Sequence, residues 1–249
     1  MMVRRLALVL IGLATLATTC HALEPAPVEP ADPQPEQSTP VAAPAPQAEA
    51  QRERLAAFER GPITFTSKGR VKALMMKFDR NLHYTFKPIK KDGVTEAVEV
   101  TMIDRVDGNK VTCGRLDVTR NGTFRTHTMP LTNACNIGSI DPMTRRKLIK
   151  TDEPVVTRSQ MEIQGAVHAI EATHTREGDV ADDGSMRVKS VTESADGKVH
   201  LTTITTLAPD GLPWMAETTG TIAKGPINMD VNLKLTREGI EDGPSATGE

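Results

Sequence analysis

Glycine-bearing turn dipeptides recur along this chain at a nearly constant interval, and that rhythm constrains the fold more than any other feature. Asp92-Gly93, Asp107-Gly108 and Asn121-Gly122 lie 15 and 14 residues apart; Asp183-Gly184, Asp196-Gly197, Asp210-Gly211 and Lys224-Gly225 follow at 13, 14 and 14. Asp-Gly and Asn-Gly suit the two-residue hairpin turn because both central residues need positive φ. The interval leaves about ten residues for each strand, longer than the usual five or six.

The flanks have the right period. Ile227, Met229, Val231, Leu233 and Leu235 alternate with Asn228, Asp230, Asn232, Lys234 and Thr236, which gives one buried and one wet face. Val98, Val100 and Met102 alternate likewise around Glu99 and Thr101, and Val199–Leu207 and Trp214–Ala223 are Thr-rich strands. The sequence predicts a mostly β protein: a long-stranded antiparallel meander forming a curved sheet, half-barrel or barrel. Closure or strong curvature would reduce the edge that long strands otherwise expose.

Helix signals are few. Gln47–Arg60 is rich in helix formers and stops at Gly61, and Asp141-Pro142 supplies an N-cap and a first-turn proline for a short inserted helix to about Ile149. Its basic run Arg145-Arg146-Lys147-Leu148-Ile149-Lys150 reads as a solvated helix face. Residues 70–79 and 160–172 contain helical as well as strand spacing, and the surrounding hairpin rhythm favours strand. Ser67-Lys68-Gly69 reads as a hairpin loop after Ile63–Thr66.

Residues 1–22 carry Arg4-Arg5, an apolar run from Leu6 to about Ala17 and a small-residue stretch, the pattern of a secretory signal peptide. Cleavage after Ala22 releases a chain starting at Leu23; cleavage before Cys20 is the alternative and would leave that cysteine lipidated, the one route to a membrane. Residues 23–50 hold eight of the seventeen prolines, five acids and no Lys or Arg, which reads as a disordered linker. A single β domain over 51–240 and a disordered tail over 241–249 complete the expected organisation. In an exported protein Cys113 and Cys135 read as a disulfide, worth about 3 kcal/mol for a loop of this length.

The net charge of −2 conceals an acidic linker; residues 51–249 hold 28 basic and 27 acidic groups. That neutrality and only seven aromatic residues disfavour nucleic acid as a partner. Five of the seven rings lie between Phe58 and Phe86.

No phosphate loop, nucleophile elbow or other catalytic motif is present, and no cofactor is implied. His168 and His174 share a strand face but lie about 20 Å apart, with Glu171 on the other face, so they do not form a metal set. Asp179, Asp182 and Asp183 read as a polar hairpin tip, Met75-Met76 as core filling, and Asn121-Gly122-Thr123 as a turn. The expected function is non-catalytic: an exported binding or carrier protein of the periplasm or cell envelope for a lipid-like ligand. Phe65, Phe78, Tyr84, Phe86, Met229, Val231 and Leu233 are the candidate lining. A half-barrel paired with helices is similar in architecture to periplasmic lipoprotein carriers. The alternative is an envelope scaffold or assembly protein acting through a protein-binding surface, with a hydrolase third.

Overall fold

A computed structural model describes residues 45–74, 76–106, 110–126, 140–163, 166–224 and 227–239. The expected signal peptide, most of the expected linker, Met75, Cys135 and residues 240–249 fall outside them, so the expected Cys113–Cys135 disulfide does too. The elements are α1 (Ala45–Ala56), β1 (Ile63–Ala73), β2 (Met76–Lys91), β3 (Val94–Asp104), β4 (Lys110–Val118), β5 (Phe124–Thr126), α2 (Pro142–Lys150), β6 (Val155–Ile163), β7 (Ala166–Glu177), β8 (Met186–Ser194), β9 (Val199–Leu207), β10 (Pro213–Lys224) and β11 (Ile227–Arg237).

All strands join one antiparallel sheet in the order β5-β4-β3-β2-β1-β11-β10-β9-β8-β7-β6. The chain starts at the centre, winds out to β5, crosses through α2 to the far edge and winds back until β11 pairs with β1. Phe65 faces Arg237 and Ala73 faces Met229 across that central seam. The sheet is not closed: β5 and β6 are its edges.

Each turn dipeptide in the described residues falls between strands, and within 70–79 and 160–172 the described residues are strand apart from the turn residue Leu74, as the hairpin rhythm predicts. The hairpin loop expected at Ser67-Lys68-Gly69 is not there. β1 runs through it, and the turn comes at Leu74, whose φ is +56°. Gly69 carries the strand onward instead of reversing it, paired in continuous register on both sides. Its φ is +152°, and a Cβ there would lie 2.1 Å from the Asn232 carbonyl oxygen of β11. Gly220 does the same on the other side of β11, with φ +143° and the His200 oxygen 2.1 Å from a Cβ. The two strands flanking β11 therefore each carry a glycine where a neighbouring backbone approaches too closely for a side chain.

The resulting curvature can be judged from what touches. β4 and β6 are nine places apart in the sheet, about 43 Å if it were flat. Yet α1, which packs on β3 and β4, also packs against α2, which packs on β6. The two wings must curl toward each other around the helices.

α1 buries Ala50, Arg54 and Phe58, a stripe at four-residue spacing that continues into the turn after the helix. α2 begins as its sequence predicts: Pro142 opens it, and the Asp141 carboxylate accepts from the backbone N–H of Met143 at 2.8 Å and Thr144 at 2.9 Å. Its basic run is not a merely solvated face. Arg146 pairs with Glu53 of α1 at 2.6 Å, and Arg145 donates to the carbonyls of Gly184 at 2.9 Å and Pro209 at 3.0 Å, tying the helix to two hairpin turns.

Candidate functional site

The helices lie against one face of the sheet, and side-chain alternation decides what that face presents. On β9 it shows Val199, Leu201, Thr203, Thr205 and Leu207, and on β1 Phe65, Ser67, Gly69, Val71 and Ala73. Both strands are apolar at their ends and polar or small in the middle. Strand pairing lines these patterns up, so the inner face has two apolar zones separated by a polar belt.

The first zone lies at the end of the sheet where the helices sit. Phe65, Tyr84, Phe86, Val98, Val100 and Leu116 pack with Phe58 and Phe124. The rings make a connected group: Phe65 meets Phe86 edge-on at 5.5 Å, and Phe58 stacks on Phe86 at 6.2 Å and meets Phe124 at 6.0 Å. On the other wing Ile140 and Leu148 cover Val155, Met186, Val188 and Leu207.

Arg54 joins the two wings. It is buried, and its guanidinium donates to three carbonyls from distant parts of the chain: Gly122 at 2.9 Å, Ile140 at 2.6 Å and Gly211 at 3.2 Å. Its carbon Cζ also lies 5.5 Å from the centre of the Phe124 ring. Burial lowers its pKa to about 10, against the opposing pull of Asp141, Glu53 and Asp210, so it stays charged at neutral pH. Gly122 is required at this junction for space as well as turn geometry, since a Cβ would come within 2.6 Å of Pro142 and 2.8 Å of the Ala50 oxygen.

The second apolar zone occupies the opposite end of the same face. Val71, Ala73, Ile170, Val199, Ile222, Met229 and Val231 form it, with Phe78, Leu201, Ile227 and Leu233 packed around them. All are strand residues. Among the described residues no helix contributes to this cluster.

Between the zones runs one rung of residues paired strand to strand. Arg80 of β2 faces Gly69 of β1, which faces Leu233 of β11, then Thr218 of β10, Thr203 of β9, Ser190 of β8 and His174 of β7. Thr203 and Thr218 hydroxyls lie 3.0 Å apart. His174 is buried, with Nδ1 2.8 Å from the Ser190 hydroxyl and Nε2 2.9 Å from that of Thr157. Burial holds its pKa below the ordinary value, only partly offset by Asp141, and the ring is neutral.

The seven expected lining residues all reach the inner face, but they divide between zones. Phe65, Tyr84 and Phe86 belong to the helix-capped cluster, whereas Phe78, Met229, Val231 and Leu233 belong to the strand-only cluster. Ile170, Val199, Leu201, Ile222 and the polar rung complete the face and were not anticipated. Their signal is the run Val199-x-Leu201-x-Thr203-x-Thr205-x-Leu207, where alternation is strict but the inward residues change character midway.

His168 and His174 do not converge. His168 Nδ1 lies 2.9 Å from Asp196 at a hairpin tip, and Glu171 pairs with Arg158 at 3.0 Å. No cluster of three or more His, Cys, Asp or Glu suited to a metal occurs among the described residues. Asp183 of the acidic loop caps its own turn, accepting from the Ser185 N–H at 2.8 Å. Among the described residues no helix is long and apolar enough to cross a membrane.

No protein-family model and no curated protein matches this chain. One solved structure similar to it is described as an outer membrane lipoprotein-sorting protein domain from Vibrio parahaemolyticus. That likeness covers 77% of this chain and 90% of that one at 9% identity, with a TM-score of 0.19, too low to bear on function.

Proposed function

We propose that this chain is a non-catalytic carrier that holds a lipid-like apolar ligand on the inner face of its half-open sheet, in the periplasm or cell envelope to which residues 1–22 direct it. The observation carrying this reading is the strand-only apolar cluster of Val71, Ile170, Val199, Ile222, Met229 and Val231. Helical residues cap the apolar side chains at the other end of the face; here the described residues supply only the sheet. A concave apolar wall with a few polar groups at its margin is the usual form of a site for a small apolar molecule. Phe78, Met229, Val231 and Leu233 are the proposed wall, and the Phe65–Tyr84–Phe86 group its support.

The test is extraction and mass spectrometry of the protein purified from the envelope, followed by titration of the stripped protein with a fluorescent apolar probe. Co-purifying lipid and saturable probe binding are expected, with binding weakened by Phe78→Glu or Leu201→Glu, at half-buried positions on the rim of the wall. Folded protein that carries no lipid and binds no probe overturns the carrier reading and favours a solid core.

A further inference from the structure

Arg80 stands apart from the other inner-face residues of the polar rung. It lies on the inner face between Phe78, which packs on the strand-only cluster, and Leu82, which packs on the helix-capped one. Its side chain is only 19% exposed. A guanidinium offers five N–H donors in a planar fork, and desolvating it without hydrogen bonds is costly. Arg54, buried in the same molecule, meets three carbonyls and an aromatic face. Arg80 makes no hydrogen bond among the described residues. Among the described residues its one ion-pair partner is Asp104, 16% exposed, with a nitrogen–oxygen approach of 3.7 Å, beyond hydrogen-bond distance. Asp104 is itself engaged elsewhere, accepting from the Val106 N–H at 2.9 Å.

The residues across the sheet from Arg80 carry little that could pair with it. Directly opposite Arg80 on β1 is Gly69, which has no side chain and cannot acquire one without meeting the Asn232 backbone. Beyond it come Leu233 and then the hydroxyls of Thr218 and Thr203. Val71 and Phe78, one rung further from the helices, begin the apolar wall.

Resting on the carrier reading, we propose that the ligand is an anionic amphiphile, its carboxylate or phosphate head taken by Arg80 opposite Gly69 and its hydrocarbon laid along the strand-only cluster. A carboxylate or phosphate can satisfy the fork with two parallel charge-assisted bonds, which Asp104 does not do at its present distance. The head then sits on the belt, and the chain points away from the helices. Asp104 becomes a competitor for the same cation, so ligand binding and the Arg80–Asp104 pair are alternatives.

Matched ligands test this in the full mature protein stripped of lipid. Oleate, oleoyl lysophosphatidic acid and oleyl alcohol share one hydrocarbon chain and differ in the head. The anionic ligands are expected to bind about 10-fold or more tighter than the alcohol, and whichever of them binds tighter identifies carboxylate or phosphate. Arg80→Gln should bring the preferred anion down to the affinity of the alcohol while leaving alcohol binding unchanged, and Asp104→Asn should tighten anion binding. Circular dichroism and thermal melting establish that the variants fold, and Asp104→Asn keeps the test decisive should Arg80→Gln not. Equal affinities for all three ligands in the wild type, with no effect of either variant, overturn the head-group assignment alone. Failure of the alcohol and the anions alike overturns the carrier reading beneath it.

Discussion

One buried arginine and one buried histidine show how much a single side chain can decide in this fold. Arg54 substitutes for a layer of packing where the wings meet, because one planar cation can serve three carbonyls that no apolar residue could pair. Arg54→Met is expected to destabilise the protein by about 3 to 5 kcal/mol, since the carbonyls remain buried and unpaired; the midpoint of urea unfolding measures it. His174 makes the opposite use of charge. Folded, it stays neutral at pH values where the unfolded chain, with an ordinary pKa of 6.5, takes up a proton. Stability is therefore complete above about pH 6.5 and declines as the pH falls toward the depressed folded value. Unfolding free energies at pH 7.5 and 5.5 should differ less in His174→Gln than in the wild type. None of these roles was legible beforehand. One of three arginines in a helix-forming stretch and a histidine in a strand look like surface residues until the pairing partners, 68 to 157 positions away for Arg54, are known.

At the scale of elements the sequence was far more readable, and for a physical reason. Hairpin turns are local, so Asp92-Gly93 or Asp196-Gly197 declares its geometry within a few residues, and strands between them follow from alternation. Asp141-Pro142 was equally clear, since an N-cap is satisfied within its own first turn. Ser67-Lys68-Gly69 misled because a glycine inside a strand and one that ends it have the same composition; only the approach of β11 distinguishes them. That difference predicts opposite tolerances. Gly69→Ala and Gly220→Ala should each destabilise by more than about 2 kcal/mol in thermal melts, because the methyl would overlap a backbone oxygen. Gly197→Ala, with open space around it, should cost about 1 kcal/mol from its φ of +69° alone. The division of the seven expected lining residues between two clusters was invisible for a related reason. Alternation assigns a residue to a face, while position along that face depends on where the helices come to rest.

For the whole molecule, the seam between β1 and β11 places the first and last strands side by side in the middle of the sheet, with Glu238 N–H bonded to the Thr64 oxygen at 2.9 Å. Every other strand pair among the described residues is a neighbour in sequence. Synthesis delivers β11 last, so until it arrives β1 has one bare edge and the two wings are separate meanders. Truncation before residue 227 should leave a chain that aggregates instead of a slightly smaller domain, a result that size-exclusion chromatography would display. The same seam also implies that the order of the strands in the gene is a matter of history more than of necessity. Opened in the crossover between β5 and α2, and rejoined from the end of β11 to the start of α1, the chain would run along its sheet from one edge to the other. Its central pairing would then be local, its loop-closure cost small, and its folding correspondingly faster.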